Sequence, residues 1–294
     1  MPEPLIITST QNPKIKRLLE LQQKSSERRK SSLFVVEGRR ELAHCLESGY
    51  EVESVFVGVK NEESGGMKNE ESPFALHSSI NNTFLVSPHV YERIAYRGST
   101  EGIVAVVRAK TLTLEDLLPL LEGNQDTGSL ASQAGVSGAL FIVLEAVEKP
   151  GNLGAVLRSA DAAGATAVIV CDPLTDLYNP NLIRASIGAC FTVPTVACTS
   201  EECIAFLKEH GIQILTAQLQ DSKLYYDTDM TVPTAIVMGT EATGLTAQWR
   251  QAADGHIRIP MLGQLDSLNV SVSAAILLFE AVRQRQNNLT PHHE

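Results

Sequence analysis

The segment ALFIVLEAVEKPGNLGAVLRSA, residues 139–160, carries the reading of the fold. Phe141 to Leu144 is a short apolar run without polar alternation, as a strand buried on both faces requires. A turn with Pro150 and Gly151 follows, and from Asn152 the pattern becomes helical. Working outward, apolar runs recur at Val168 to Cys171, Val193 to Ala197, Ile212 to Thr216 and Ala235 to Met238, with room for helices between them. A final helix is expected from Asn269 to Arg285. This alternation predicts an α/β domain over 139–294 with a mostly parallel sheet and helices on both faces. Ligands of such sheets bind beyond the carboxyl ends of the strands.

Upstream, Gly123 to Gly138 (GNQDTGSLASQAGVSG) contains only small and polar residues apart from single Leu and Val positions, so it cannot build a core. With the leucine-rich piece before it, it is read as a linker over 111–138. Residues 1–110 then form a smaller α/β unit. Asn12-Pro13 reads as a helix start, a capping side chain followed by proline in the first turn. Strands are expected at Leu33 to Val36, Val52 to Val57, Phe84 to Val86 and Ile103 to Val107, with an exposed polar insertion at 61–72.

At 294 residues, with 44% apolar and 20% charged residues, the chain suits two folded domains. No secretory signal and no run of about 20 apolar residues is present, so a soluble, cytoplasmic protein without a membrane partner is expected. Five cysteines form no C-x-x-C pair and the histidines no H-E-x-x-H, so neither disulfides nor a metal is expected. The net charge of −10 is unevenly spread. Residues 1–40 hold nine Lys and Arg against four acidic residues, whereas everything after them is acidic in balance. A polyanionic partner would therefore meet the front of the chain.

Three stretches place polar and glycine residues just after strands: KPGNLGAVLRSA (149–160), MGTEATGL (238–245) and IPMLGQLDSLNVSV (259–272). Taken singly, each has an ordinary explanation. Asn152 would cap the following helix, and Arg158 would pair with Glu145 or Glu241. Gly239 and Gly244 would serve a turn beside a solvated Glu241, and Ser267 or Asn269 would cap the last helix.

Taken together and in this order, they resemble the three motifs of the SpoU (TrmH) family, part of the SPOUT superfamily of S-adenosylmethionine-dependent RNA methyltransferases. The resemblance spans residues 139–285. ITSTQNPKIKRLLEL with FVVEGRREL is similar to the small substrate-binding domain of rRNA-type members. The family implies a deep trefoil knot in the sheet domain, and a homodimer in which the first motif of one subunit lies near its partner's cofactor. It implies cofactor contacts at Gly239, Ile259 and Leu268, extended here to Met261, Thr216 and Gln218. It also implies methyl transfer to a ribose 2′-hydroxyl of RNA, large-subunit rRNA in preference to tRNA.

In that reading Arg158 activates the hydroxyl. A guanidinium is a poor base at neutral pH, so its expected role is to grip a phosphate and stabilise developing alkoxide charge, with the proton lost to phosphate, water or Glu241. Asn152 and Glu241 orient it, while Ser267 and Asn269 fix the cofactor loop. Lys14, Lys16, Arg17, Arg28, Arg29 and Lys30 are the expected RNA-binding cations. The rival classes are a non-catalytic RNA-binding ribosome-assembly protein, which would not need all five motif residues, and a dinucleotide oxidoreductase, which lacks its G-x-G-x-x-G.

Overall fold

The computed structural model describes residues 6–59, 82–95, 102–122, 138–240 and 243–287. The polar insertion at 61–72, nearly all of the 123–138 linker and Glu241 lie outside the described residues. The chain forms two compact units. The first contains the residues up to Lys110 together with Tyr178–Gly188, and the second contains Thr111–Leu177 and the chain from Ala189 onward.

The first unit runs β1 (Ile6–Ile7), α1 (Pro13–Gln23), α2 (Ser25–Ser31), β2 (Leu33–Glu37), α3 (Arg39–Glu47), β3 (Val52–Gly58), β4 (Thr83–Val86), α4 (Pro88–Ile94) and β5 (Ile103–Arg108). Its mixed sheet has the order β1-β4-β3-β5-β2. α1 begins as expected, with Asn12 Oδ1 accepting from Lys14 N at 2.9 Å. Ile15, Leu18 and Leu21, spaced three apart, bury one helix face against Val35, Phe56, Val86 and Val104. On the opposite face of β2, Phe34 stacks on Tyr178, with ring centroids 4.3 Å apart. The Tyr178 hydroxyl accepts from Lys110 N and donates to Lys110 O, which ties this excursion of the chain to the first unit. Strand and helix periods carry no signal for such an excursion, because it rests on tertiary contacts of Tyr178 with Phe34 and Lys110.

Arg28 corrects an expectation. It is only 5% exposed, and its guanidinium donates to Leu21 O and Gln22 O. It therefore satisfies carbonyls at the end of α1, which have no partner within the helix, and does not face a phosphate.

The second unit contains α5 (Leu118–Glu122), β6 (Leu140–Glu145), α6 (Pro150–Ala162), β7 (Ala167–Cys171), β8 (Thr195–Cys198), α9 (Ser200–Glu209), β9 (Gln213–Ala217), β10 (Lys223–Leu224), β11 (Thr234–Met238), α10 (Ala247–Ala252), β12 (Gly255–Arg258) and α11 (Val270–Asn287). Two short helices precede β8 and α9: α7 (Pro180–Ser186), which belongs to the excursion, and α8 (Ala189–Thr192). The sheet order is β10-β12-β9-β11-β6-β7-β8, and every adjacent pair is parallel. The five strands expected from apolar runs are all present. β10 and β12 are additional, and escape that reading because Gly-His-Ile-Arg holds one apolar residue and Lys-Leu is a two-residue edge.

Phe141, Val143, Ile169, Ile214 and Val237 form one buried face with Phe206, Leu207 and Trp249. α6 and α11 pack against each other, and α11 also packs on β6 and β11. Near its end Arg285 is buried, and its guanidinium donates to Met230 O, Gly138 O, Ala139 O and Val232 O at 2.8–3.1 Å. Burial lowers its pKa to about 10, so it stays protonated at neutral pH. None of the described helices is long and apolar enough to cross a bilayer.

Replacing Arg285 by Leu would leave the carbonyls of Gly138 and Met230 buried without this donor. A loss of about 3 kcal/mol is expected, read as a lower thermal midpoint by circular dichroism. Lys24→Ala, which removes an exposed ion pair to Glu20, should cost less than about 1 kcal/mol. Equal effects would refute the anchoring role.

Candidate active site

Because β9, β11 and β12 run parallel and adjoin, the segments leaving them emerge side by side. Together they line a cavity of about 400 Å³ with the third sequence segment and the inner side of α11. This is the size of a small-molecule site. Gly239, Ile259, Met261, Leu268 and Gln218 all line it, as does Ser267. Leu245, Arg250, Arg258 and Leu277 are also part of the wall. Sequence reasoning missed these four, although Arg258 is the residue directly before Ile259.

Gly239 is required by close approach. A Cβ there would fall 2.2 Å from the carbonyl carbon of Gly244 and 2.5 Å from Leu245 N. The loop folds back on itself at that point, with Gly244 N donating to Thr240 O and Gly244 at φ +67°. Thr243 N donates to Thr240 Oγ1, holding the turn from within.

Gln218 Oε1 is buried without a hydrogen-bond partner among the described residues, while its Nε2 donates to Gln220 O. S-adenosylmethionine, with its apolar-faced purine, matches the Ile, Met and Leu lining of this wall. Thr216 behaves differently. It is fully buried, its hydroxyl lies 2.6 Å from His256 Nδ1, and it does not line the cavity.

Asn152 and Asn269 are brought together. Asn269 Oδ1 caps α11 by accepting from Ser271 N and Ser271 Oγ, and its Nδ2 donates to Asn152 Oδ1 at 3.2 Å. Asn269 is thus both a helix cap and a link between the first and third segments. Asn152 does not cap α6, as the sequence suggested. The helix begins at Pro150 with Lys149 as N-cap, which leaves Asn152 inside the first turn and its side chain directed to Asn269.

Arg158 lies six residues further, roughly 240° around the helix from Asn152. It is exposed, makes no ion pair among the described residues, and does not line the cavity. The suggested pairing with Glu145 is absent. That buried carboxylate instead accepts from Thr246 N at 2.9 Å and Thr246 Oγ1 at 2.6 Å, and so fixes the end of the second segment. Its position at the close of an apolar run was the available signal.

In the first unit Lys14, Lys16, Arg17, Arg29 and Lys30 are exposed. Lys14 lies over the Phe84 ring, 4.5 Å from its centroid, and Arg17 pairs with Glu53 at 3.4 Å.

Residues 139–279 match the model of the SpoU rRNA Methylase family, and residues 12–105 match that of the MRM3-like substrate binding domain. The chain is 38% identical over 190 residues to the 23S rRNA (guanosine-2′-O-)-methyltransferase RlmB of Photobacterium profundum, covering 64% of this chain and 73% of that protein. It belongs to the SpoU methylase family. Two solved structures agree with this assignment. A crystal structure of an RNA 2′-O ribose methyltransferase superposes with a TM-score of 0.74 at 38% identity, covering 96% of this chain and 99% of the other. The AdoMet-bound rRNA methyltransferase from Sinorhizobium meliloti superposes with a TM-score of 0.78 at 25% identity, covering 95% and 97%. All three SpoU segments lie within the matched residues 139–279.

Gly239→Ala should lower the affinity for S-adenosylmethionine at least about tenfold, because the turn cannot close around a methyl group. Calorimetric titration of the folded variant checks this. An unchanged affinity would mean that the turn does not shape the cavity.

Proposed function

We propose that the chain is an S-adenosylmethionine-dependent methyltransferase that methylates a ribose 2′-hydroxyl in RNA, with large-subunit rRNA as its substrate, and that it acts in the cytoplasm. The observation that carries this reading is the cavity at the carboxyl edge, where segments two and three meet and Asn269 reaches segment one. Gly239, Ile259, Met261, Leu268 and Gln218 would hold the cofactor, which when bound supplies a methyl group on a sulfonium. The role of the chain is alignment. Asn269 holds Asn152, Asp266 and Ser267 border the cavity, and Arg158 with its permanent charge grips the phosphate and stabilises developing negative charge on the ribose oxygen.

We read the enzyme as a homodimer with a shared site and the threaded knot of its family. Arg158 is exposed and has no ion-pair partner among the described residues of its own chain, as suits a residue that completes a partner's site. Leu262, Leu265, Val272 and Phe279 are exposed on the third segment and the outer side of α11, a patch that association would cover. Residues 1–110 would bind RNA, residues 139–294 would carry catalysis, and 111–138 would join them. Arg28 is left out of the RNA surface because its charge is spent inside the first unit.

Arg158→Ala should bind S-adenosylmethionine normally yet lose roughly 10²–10³ in methyl transfer to rRNA. Neither Arg158→Ala nor Gly239→Ala homodimers should be active. Mixed dimers of the two should recover transfer, since one cavity then combines an intact pocket with an intact arginine. No recovery would place Arg158 in the site of its own chain. Labelling of tRNA in place of rRNA would overturn the substrate.

Arg29→Glu with Lys30→Glu should weaken RNA binding and reduce the log–log salt slope by about 1.5. Arg28→Glu should instead lower the thermal midpoint of the protein. An unchanged salt slope in the double variant would exclude that surface.

A further inference from the structure

Three of the five cysteines, unpromising in sequence, converge in space. Cys171 ends β7 and Cys198 ends β8, and the two are directly paired in the parallel ladder, so their side chains leave the same face of the sheet. Cys203 lies in the first turns of α9, which covers that face. The three sulfurs all lie within 4.8 Å of one another. No other group of three metal-ligating side chains is this close among the described residues. Cys171 and Cys203 are fully buried, and Cys198 is half-buried, which leaves one route of entry.

We propose that Cys171, Cys198 and Cys203 form a binding site for a soft, thiophilic d¹⁰ cation, zinc(II) or copper(I). Such a cation about 2.3 Å from each of three sulfurs would place the sulfurs about 4 Å apart. The observed cluster, with all three sulfurs within 4.8 Å of one another, approaches that arrangement. All three ligands are sulfur, which selects soft ions over magnesium or calcium.

The backbone that carries them is held independently of any metal. Thr199 N donates to Glu202 Oε2 at 2.8 Å and Glu202 N to Thr199 Oγ1 at 3.2 Å, a reciprocal cap that sets the start of α9. Asp172, next to Cys171, accepts from Ser200 N at 3.1 Å and Ser200 Oγ at 2.6 Å, joining the end of β7 to the same helix. Trp249 Nε1 donates to Ser200 Oγ at 3.0 Å and closes the network. Binding forms metal–sulfur bonds and releases the thiol protons to water. The site is separate from the cofactor cavity, none of whose lining residues it uses.

The test uses the full chain, reduced and free of chelator, titrated with zinc(II) against a chromophoric competitor and, without oxygen, with copper(I). One equivalent per chain should bind tighter than micromolar with at least one of the two ions. Cys198→Ser should weaken it at least about tenfold, whereas Cys45→Ser and Cys190→Ser should not. Alkylation of the unsubstituted protein, mapped by mass spectrometry, removes the concern that a variant misfolds: the bound ion should protect Cys198. No stoichiometric binding, binding that survives Cys198→Ser, or continued alkylation of Cys198 with the ion bound would overturn the site. So would a Cys171–Cys198 disulfide formed in air by a protein whose reduced form takes up neither ion.

Discussion

All the strands of the larger sheet run in one direction, and that direction decides where polar chemistry can sit. A parallel strand buried on both faces has no room for polar side chains along its length, so they collect where the backbone leaves the sheet. Here the carboxyl edge gathers the Gly239 turn, the Ile259 loop, Glu145 with its Thr246 partners, and the three thiols. The amino edge is treated differently. There Arg285 draws together carbonyls around the starts of β6 and β11 with one buried guanidinium, which keeps the last helix seated beneath the cavity.

Two buried arginines, 28 and 285, show how a charge can be spent on the backbone. Each donates to carbonyls that local structure leaves unsatisfied, at a helix end in one unit and at strand starts in the other. At Arg285 several oriented carbonyl dipoles replace the water that burial removes. Arg158 is the opposite case. It stands on a largely apolar helix yet keeps its guanidinium in solvent.

Apolar runs and their spacing made the α/β class and five of the seven strands of the larger sheet legible, since a buried strand must be apolar whatever its neighbours are. β10 and β12 were not legible, because one is a two-residue edge and the other carries a single apolar residue in four. Gly239 could be singled out, yet the reason for it, a backbone 2.2 Å from where its Cβ would be, appears only when the turn is closed. Thr216 shows the reverse: it lies near the end of a strand beside the cavity, but its side chain meets His256.

The sequence alone determined the fold class, the order of the three polar segments, and, through their combined resemblance, the family. These depend on local periodicity and on residue types that survive reading one position at a time. Tertiary structure decided which of those residues meet. Asn152 and Asn269 are 117 positions apart and share a hydrogen bond, Arg28 turns inward while Arg29 turns out, and three cysteines with no motif spacing converge on one point. Such contacts are set by strand order and helix rotation, which bring distant segments together by packing the whole sheet, and no local pattern records them.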